Sequence, residues 1–96
     1  MNETNFEWDE SKNIQNQDKH GISFEIAQYA FADRYRIIVE DLDHSFDEQR
    51  YFCFGEYESA VVTVRFTYRY KKIRIFGAGY WRKGRKIYEK ENSLYR

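Results

Sequence analysis

The chain has no proline, one cysteine and five glycines in 96 residues, and its formal charges cancel. With no proline, no Gly/Ser-rich linker, no internal repeat and no low-complexity tract, nothing marks a boundary, and a single domain over residues 1–96 is expected. A lone cysteine, Cys53, can form neither an internal disulfide nor a protein-only metal cluster. Set in an aromatic run, it reads as a buried structural thiol. No apolar run approaches the roughly 18 residues of a membrane span. Met1-Asn2-Glu3-Thr4 is acidic where a signal peptide would be basic and then apolar, so a cytoplasmic protein without membrane contact is expected. Gly77-Ala78-Gly79 is too short for a dinucleotide fingerprint, no zinc spacing occurs, and neither His20 nor His44 has a recognisable nucleophile motif. Cofactor, metal and serine or cysteine hydrolase chemistry are therefore not expected.

What is abundant is ring area and charge. Eight Phe, nine Tyr and two Trp accompany a charged fraction of 33%, far more aromatic surface than a disordered chain carries. The zero net charge conceals a separation along the chain. Residues 1–64 hold 5 basic and 14 acidic groups, or −9, whereas residues 65–96 hold 11 basic groups against Glu89 and Glu91, or +9. Such asymmetry points to a polyanion or an oppositely charged partner, unless the halves neutralise each other on folding.

Hydrophobic period gives the elements. After an apolar entry at Phe6 and Trp8, Asp9 caps a polar helix running to about His20, where Gly21 supplies the left-handed stop; Ile14 is its main apolar residue. Ser23 caps a second helix, with Ile22 and Ala27 as a hydrophobic staple and Phe24, Ala27 and Phe31 on its buried face. Strands are predicted over residues 35–41, 50–55, 60–68 and 72–76, with short links that imply antiparallel pairing. Within the third, Val62, Val64, Phe66 and Tyr68 alternate with Val61, Thr63, Arg65 and Thr67, as in a sheet with one face toward the core. The polar link 42–49 reads as a mobile loop. From Tyr80 the period turns helical, with Tyr80, Gly84, Ile87 and Leu94 on one stripe and Arg82, Arg85, Lys86 and Glu89 opposite. The fold class expected is α+β, with two N-terminal helices, a four-stranded antiparallel sheet and a C-terminal helix in two layers.

The chemistry-bearing stretch is residues 65–88, where Arg65, Arg69, Lys71, Lys72, Arg74, Arg82, Lys83, Arg85 and Lys86 are interleaved with Phe66, Tyr68, Tyr70, Phe76, Tyr80, Trp81 and Tyr88. Cations hold phosphates and rings stack on unpaired bases, a combination suited to single-stranded RNA. RNA can be cut without a metal when its 2′-hydroxyl attacks the adjacent phosphate, given a base, an acid and cations around the transition state. Arg69, Arg74, Arg82 and Arg85 are candidates for the cations. Tyr88 and His20 are candidates for the proton carrier, a tyrosine needing neighbouring cations to lower its usual value of about 10. Arg65, Lys72, Tyr80, Trp81, Lys83 and Lys86 are candidate RNA contacts.

Phe6-Glu7-Trp8-Asp9, Lys12, Asn16 and Lys19-His20-Gly21-Ile22-Ser23-Phe24 resemble the opening signature of BrnT toxins. Asp41, Asp43-His44-Ser45, Glu48, Arg50, Phe54-Gly55, Arg69, Ile73-Arg74-Ile75 and Arg85-Lys86-Ile87-Tyr88-Glu89 extend the resemblance over nearly the whole chain. It implies a RelE-like ribonuclease toxin of a type II toxin–antitoxin system that blocks translation. It also implies a BrnA-like ribbon-helix-helix antitoxin that binds operator DNA, with two copies of each protein in the assembly. The chain departs from the pattern at Gly77-Ala78-Gly79-Tyr80-Trp81, where many members read Ser-Ala-Arg, and at Gly84, where a glutamate is frequent. A non-catalytic RNA-binding or partner-docking module on the same fold is the competing reading.

Overall fold

The computed structural model describes residues 5–93. The order is β1 (Phe6–Glu7), α1 (Glu10–His20), α2 (Phe24–Ala27) running into a 3-10 segment (Gln28–Ala32), β2 (Ile37–Glu40), a 3-10 turn (Leu42–His44), β3 (Tyr51–Tyr57), β4 (Ala60–Arg69), β5 (Lys72–Gly79) and α3 (Arg82–Ser93). The α+β class and the succession of helices, antiparallel strands and closing helix are as the sequence implies. The sheet has a fifth strand, in the order β1-β5-β4-β3-β2. The added strand pairs parallel with β5 through Phe6 opposite Ile73 and Glu7 opposite Arg74. Two residues carry no strand period of their own, which is why only an apolar entry was legible there.

The helix ends follow from their caps. Asp9 accepts from the Ser11 and Lys12 amides at 2.9 and 3.3 Å, and Gly21 closes α1 at φ 69°. Ser23 accepts from the Ile26 amide. The face that α1 buries is polar: Ile14 is 55% exposed, whereas Asn13 and Asn16 are buried. Asn16 donates to the carbonyls of Ile22 (2.9 Å) and Ala78 (3.0 Å) and accepts from the Ala78 amide (3.2 Å). One carboxamide thus satisfies both backbone groups of a β5 residue where β1 has ended, closing that sheet edge as a strand would. Asn13 accepts from the Phe24 amide at 2.8 Å and donates to Glu25 at 2.9 Å, fixing the turn into α2.

The main core lies between the helices and one sheet face. Ile22, Phe24, Ala27 and Ala30 pack on Cys53, Val62, Val64, Phe66, Ile73, Ile75 and Ala78. Gly55 lies against the Ala30 backbone, where a Cβ would overlap it. A smaller cluster of Phe54, Val61 and Tyr88 joins α3 to the opposite face. Gly84 lets the helix come down there, since a Cβ would meet Thr63 Oγ1 and the Phe54 ring. Both faces of β3 and β4 are therefore covered at that end, where Val61 and Thr63 are buried as well as Val62 and Val64. Thr67, past Arg65, is buried too, with its hydroxyl donating to the Gln49 carbonyl. The open face that alternation implies is confined to the stretch around Arg65. On α3, Gly84 and Tyr88 are buried and Ile87 half-buried, while Tyr80 precedes the helix and is exposed. Leu94 lies outside the described residues.

Candidate nucleic-acid cleft

A β-bulge builds the centre of the site. Arg65 is opposite Gly77 and Phe66 opposite Ile75, leaving Phe76 as an extra residue in β5. Such an insertion lets consecutive side chains share a face. Phe76 and Gly77 both border the cleft with Arg65, and beyond the shift Ala78 enters the core opposite Val64. The Arg65 side chain passes over Gly77, where a Cβ would make ordinary contact with its Cδ and guanidinium at 3.7 Å. At Gly79 a Cβ would fall 2.7 Å from the Trp81 ring, so the indole lies directly on the strand. The Gly77-Ala78-Gly79 segment thus shapes the floor on which an arginine and a tryptophan rest.

Around this floor is a cleft of about 300 Å³ bordered by Lys12, Lys19 and His20 from α1, Arg50 from the loop before β3, and Arg65, Phe76, Gly77 and Trp81. Four basic side chains and a histidine face it, and no carboxylate is among its lining residues. Arg50 stacks on the Phe76 ring at 4.4 Å from its centroid, with Lys12 Nζ at 6.0 Å. His20 meets Trp81 edge-on at 5.1 Å and 72°. Lys12, Lys19 and His20 are exposed on α1 because the helix is held by its asparagines. Arg50 also stands 3.9 Å from Glu48, whereas Lys12, Lys19 and Arg65 have no ion pair among the described residues. Cations beside partly exposed rings can hold phosphate and stack on bases.

The other sequence candidates fall elsewhere. Arg69 is held by both oxygens of Glu48 at 3.1 Å. Arg74 is on Glu7 at 3.2 Å, with Lys72 at 3.9 Å from the same carboxylate. Arg82 and Arg85 border a different depression with Tyr80, Glu56 and Glu89. Lys83 stands at an apolar groove beside Phe52 and Phe54, and Lys86 is exposed on α3. Tyr88 is buried and donates to Asp33 Oδ2 at 2.5 Å. His20, Arg65 and Trp81 are thus brought together, whereas Arg82 and Arg85 share a separate depression and Arg74 is held on Glu7.

Lys12, Lys19 and Arg50 complete the site without having been singled out for chemistry, because they lie in the acidic half of the chain. Their place in the opening and middle signatures was the only signal. Cys53 is buried, and burial pushes its thiol up to about 12, which leaves it unreactive near neutrality. Among the described residues no group of three or more His, Cys, Asp or Glu side chains is placed to hold a metal ion, and no helix is long and apolar enough to cross a membrane.

A family profile described as "Ribonuclease toxin, BrnT, of type II toxin-antitoxin system" matches residues 8–84. The chain belongs to the BrnT family. The match runs from Trp8, before α1, to Gly84 in α3, and so takes in every residue that borders the cleft. No relative among curated proteins matches the chain. As a BrnT-family member the protein is a ribonuclease toxin of a type II system, which implies a cognate antitoxin.

Proposed function

We infer that the cleft between α1 and the β4–β5 bulge is where this toxin binds and cuts RNA, and that cutting needs no metal ion. The observation carrying this reading is the gathering of Lys12, Lys19, Arg50 and Arg65 with His20, Phe76 and Trp81 around a floor without a carboxylate. A phosphate seated over Gly77 meets Arg65 and Arg50, the latter held on the Phe76 ring, while the exposed Trp81 offers its ring to a flanking base. His20 takes the proton of the 2′-hydroxyl as its oxygen bonds to phosphorus. The bond to the 5′-oxygen breaks, and that oxygen takes a proton from a neighbouring ammonium or from water. The products are a 2′,3′-cyclic phosphate and a 5′-hydroxyl. The cations offset the added negative charge of the five-coordinate phosphorus, the larger part of such catalysis.

In this reading Arg69, Lys72 and Arg74, occupied by Glu48 and Glu7, guide the strand outside the cleft. Tyr80, Arg82, Lys83, Arg85 and Lys86 extend a basic track along the start of α3. Tyr88 holds the fold rather than moving protons. The protein acts in the cytoplasm, and its partner is a BrnA-like ribbon-helix-helix antitoxin in a two-plus-two assembly that alone contacts operator DNA.

Antitoxin-free protein incubated with end-labelled RNA in EDTA tests this, beside Arg65→Ala and His20→Ala. Cleavage should survive the chelator and fall at least about 100-fold in both variants, the scale of losing a transition-state donor or a general base. Intact RNA with and without ribosomes would overturn the nuclease reading. Salt-sensitive retention without products would favour a binding module.

A further inference from the structure

On the side of α3 facing the sheet's other margin, Val39, Leu42, Phe52, Phe54, Trp81 and Ile87 border a mainly apolar groove of about 610 Å³. One wall is β2, the last strand of the sheet. The Asp41 amide donates to the Arg50 carbonyl, and Val39 is opposite Phe52 and Ile37 opposite Phe54. In an antiparallel ladder the hydrogen-bonded pairs alternate, so the backbone groups of Ile38 and Glu40 face outward. No described strand pairs with them. This edge is protected only by its shortness and by Glu40: β2 carries no lysine, proline or bulge and leaves Ile38 and Val39 each 39% exposed. Beyond it Leu42 is 77% and Phe46 86% exposed.

The segment that follows this edge is acidic, although Lys83 of α3 also borders the groove. Residues 40–48 carry Glu40, Asp41, Asp43, Asp47 and Glu48 and no lysine or arginine. Asp41 is taken by His44 and Glu48 by Arg69 and Arg50, but Glu40, Asp43 and Asp47 have no ion pair among the described residues. An occupant must add a strand to β2, place apolar side chains in the groove, and bring Lys or Arg to the acidic segment. We propose that an extended segment of the cognate antitoxin, with alternating apolar residues next to Lys or Arg, docks on β2 and fills this groove. The proposal rests on the toxin assignment and places the anchoring contact beside the RNA cleft rather than within it. Trp81 borders both cavities, so a segment seated in the groove brings the antitoxin chain to the mouth of the cleft.

The test uses the purified toxin and its cognate antitoxin. Hydrogen exchange at the Ile38 and Glu40 amides should slow at least about tenfold on binding, as pairing of an open edge requires. Val39→Arg and Asp43→Lys should each weaken the antitoxin about 100-fold, the scale of losing an interface anchor. Leu42→Arg, at a position exposed in the fold, should do the same, so a failure of Val39→Arg to fold would not decide the matter. Arg65→Ala should change affinity less than about threefold. Unprotected edge amides with unchanged affinity in the groove variants would overturn the proposal. So would an affinity lost only with Arg65→Ala, or a free toxin of twice its 11.8 kDa mass that Val39→Arg makes monomeric. RNA cleavage by the same free toxin is scored separately. Its absence alongside a protected β2 edge would refute the cleft reading and leave the docking surface standing.

Discussion

Replacing Asn16 by alanine removes a side chain that holds together three parts of the fold. Its carboxamide donates to Ile22 and Ala78 and accepts from Ala78, and both of those residues are buried. Water therefore has little access to the backbone groups left behind. Each buried group left without a partner costs about 1–3 kcal/mol. With the second lone pair of each carbonyl softening the loss, a total near 3–4 kcal/mol is expected. A chain of this length has a stability of about 5–14 kcal/mol, so the variant should fold but melt about 12–25 °C lower. Ile14→Ala removes the only apolar side chain in α1, yet at 55% exposure it should cost less than about 1 kcal/mol.

Urea and thermal unfolding of the two variants, followed by circular dichroism, supply the comparison. An Asn16→Ala loss below about 1 kcal/mol, or an Ile14→Ala loss that exceeds it, would refute the claim that α1 is docked by amide groups. Because α1 carries Lys12, Lys19 and His20 to the cleft, Asn16→Ala should also weaken RNA binding at temperatures where the rest of the protein stays folded.

Gly79→Ala should displace the Trp81 indole, which a Cβ would approach to 2.7 Å; RNA affinity should fall about tenfold with the unfolding midpoint little changed, measured by fluorescence titration of the single-stranded ligand. Tyr88→Phe removes the bond to Asp33 and should lower stability by about 1–2 kcal/mol while leaving the cleavage rate per folded molecule within about twofold. With its thiol pushed up to about 12, Cys53 should resist an aromatic disulfide reagent at pH 8 until the protein is unfolded. Glu25 is held below its usual 4.5 by the Asn13 amide. A depressed carboxylate adds stability that is present above about pH 4.5 and lost as pH falls through the lowered value, so Asn13→Ala should flatten the acid limb of the stability curve in that window.

Where one residue decides an element, the sequence discloses it. Asp9, Gly21 and Ser23 set the ends of α1 and the start of α2 through side chains and φ values that act locally. The β4 alternation likewise named the core face. What stayed hidden depends on pairing between distant segments. Asn13 and Asn16 bury polar atoms whose partners are chosen by the tertiary fold, so no apolar period marks them. The bulge at Phe76 exists only relative to Arg65 across the strand, and a short strand in front of the Gly-Ala-Gly segment was its sole trace. His20, Arg65 and Trp81 were legible as site candidates from residue type and signature. Arg69 and Arg74 looked free because the carboxylates that hold them, Glu48 and Glu7, come from 21 and 67 residues away.

With the proposed assignment of the cleft, position along the chain is a poor guide to a polyanion site. Of the basic groups in the +9 segment, Arg69, Lys72 and Arg74 are spent on Glu48 and Glu7, and Arg65 alone borders the cleft. The remaining cations of the cleft, Lys12, Lys19 and Arg50, come from the −9 segment. Folding thus partly neutralises the conspicuous basic stretch and gathers inconspicuous cations around a cleft lined by no carboxylate, with Arg50 alone of them in contact with one, Glu48 at 3.9 Å. An anion responds to local potential in a sheltered cleft more than to net charge along the sequence, because exposed charges more than about 8–10 Å apart are screened by physiological salt. A chain with zero formal charge can therefore hold RNA, and its affinity should follow Lys12, Lys19, Arg50 and Arg65 more closely than the larger set of cations from residue 69 onward.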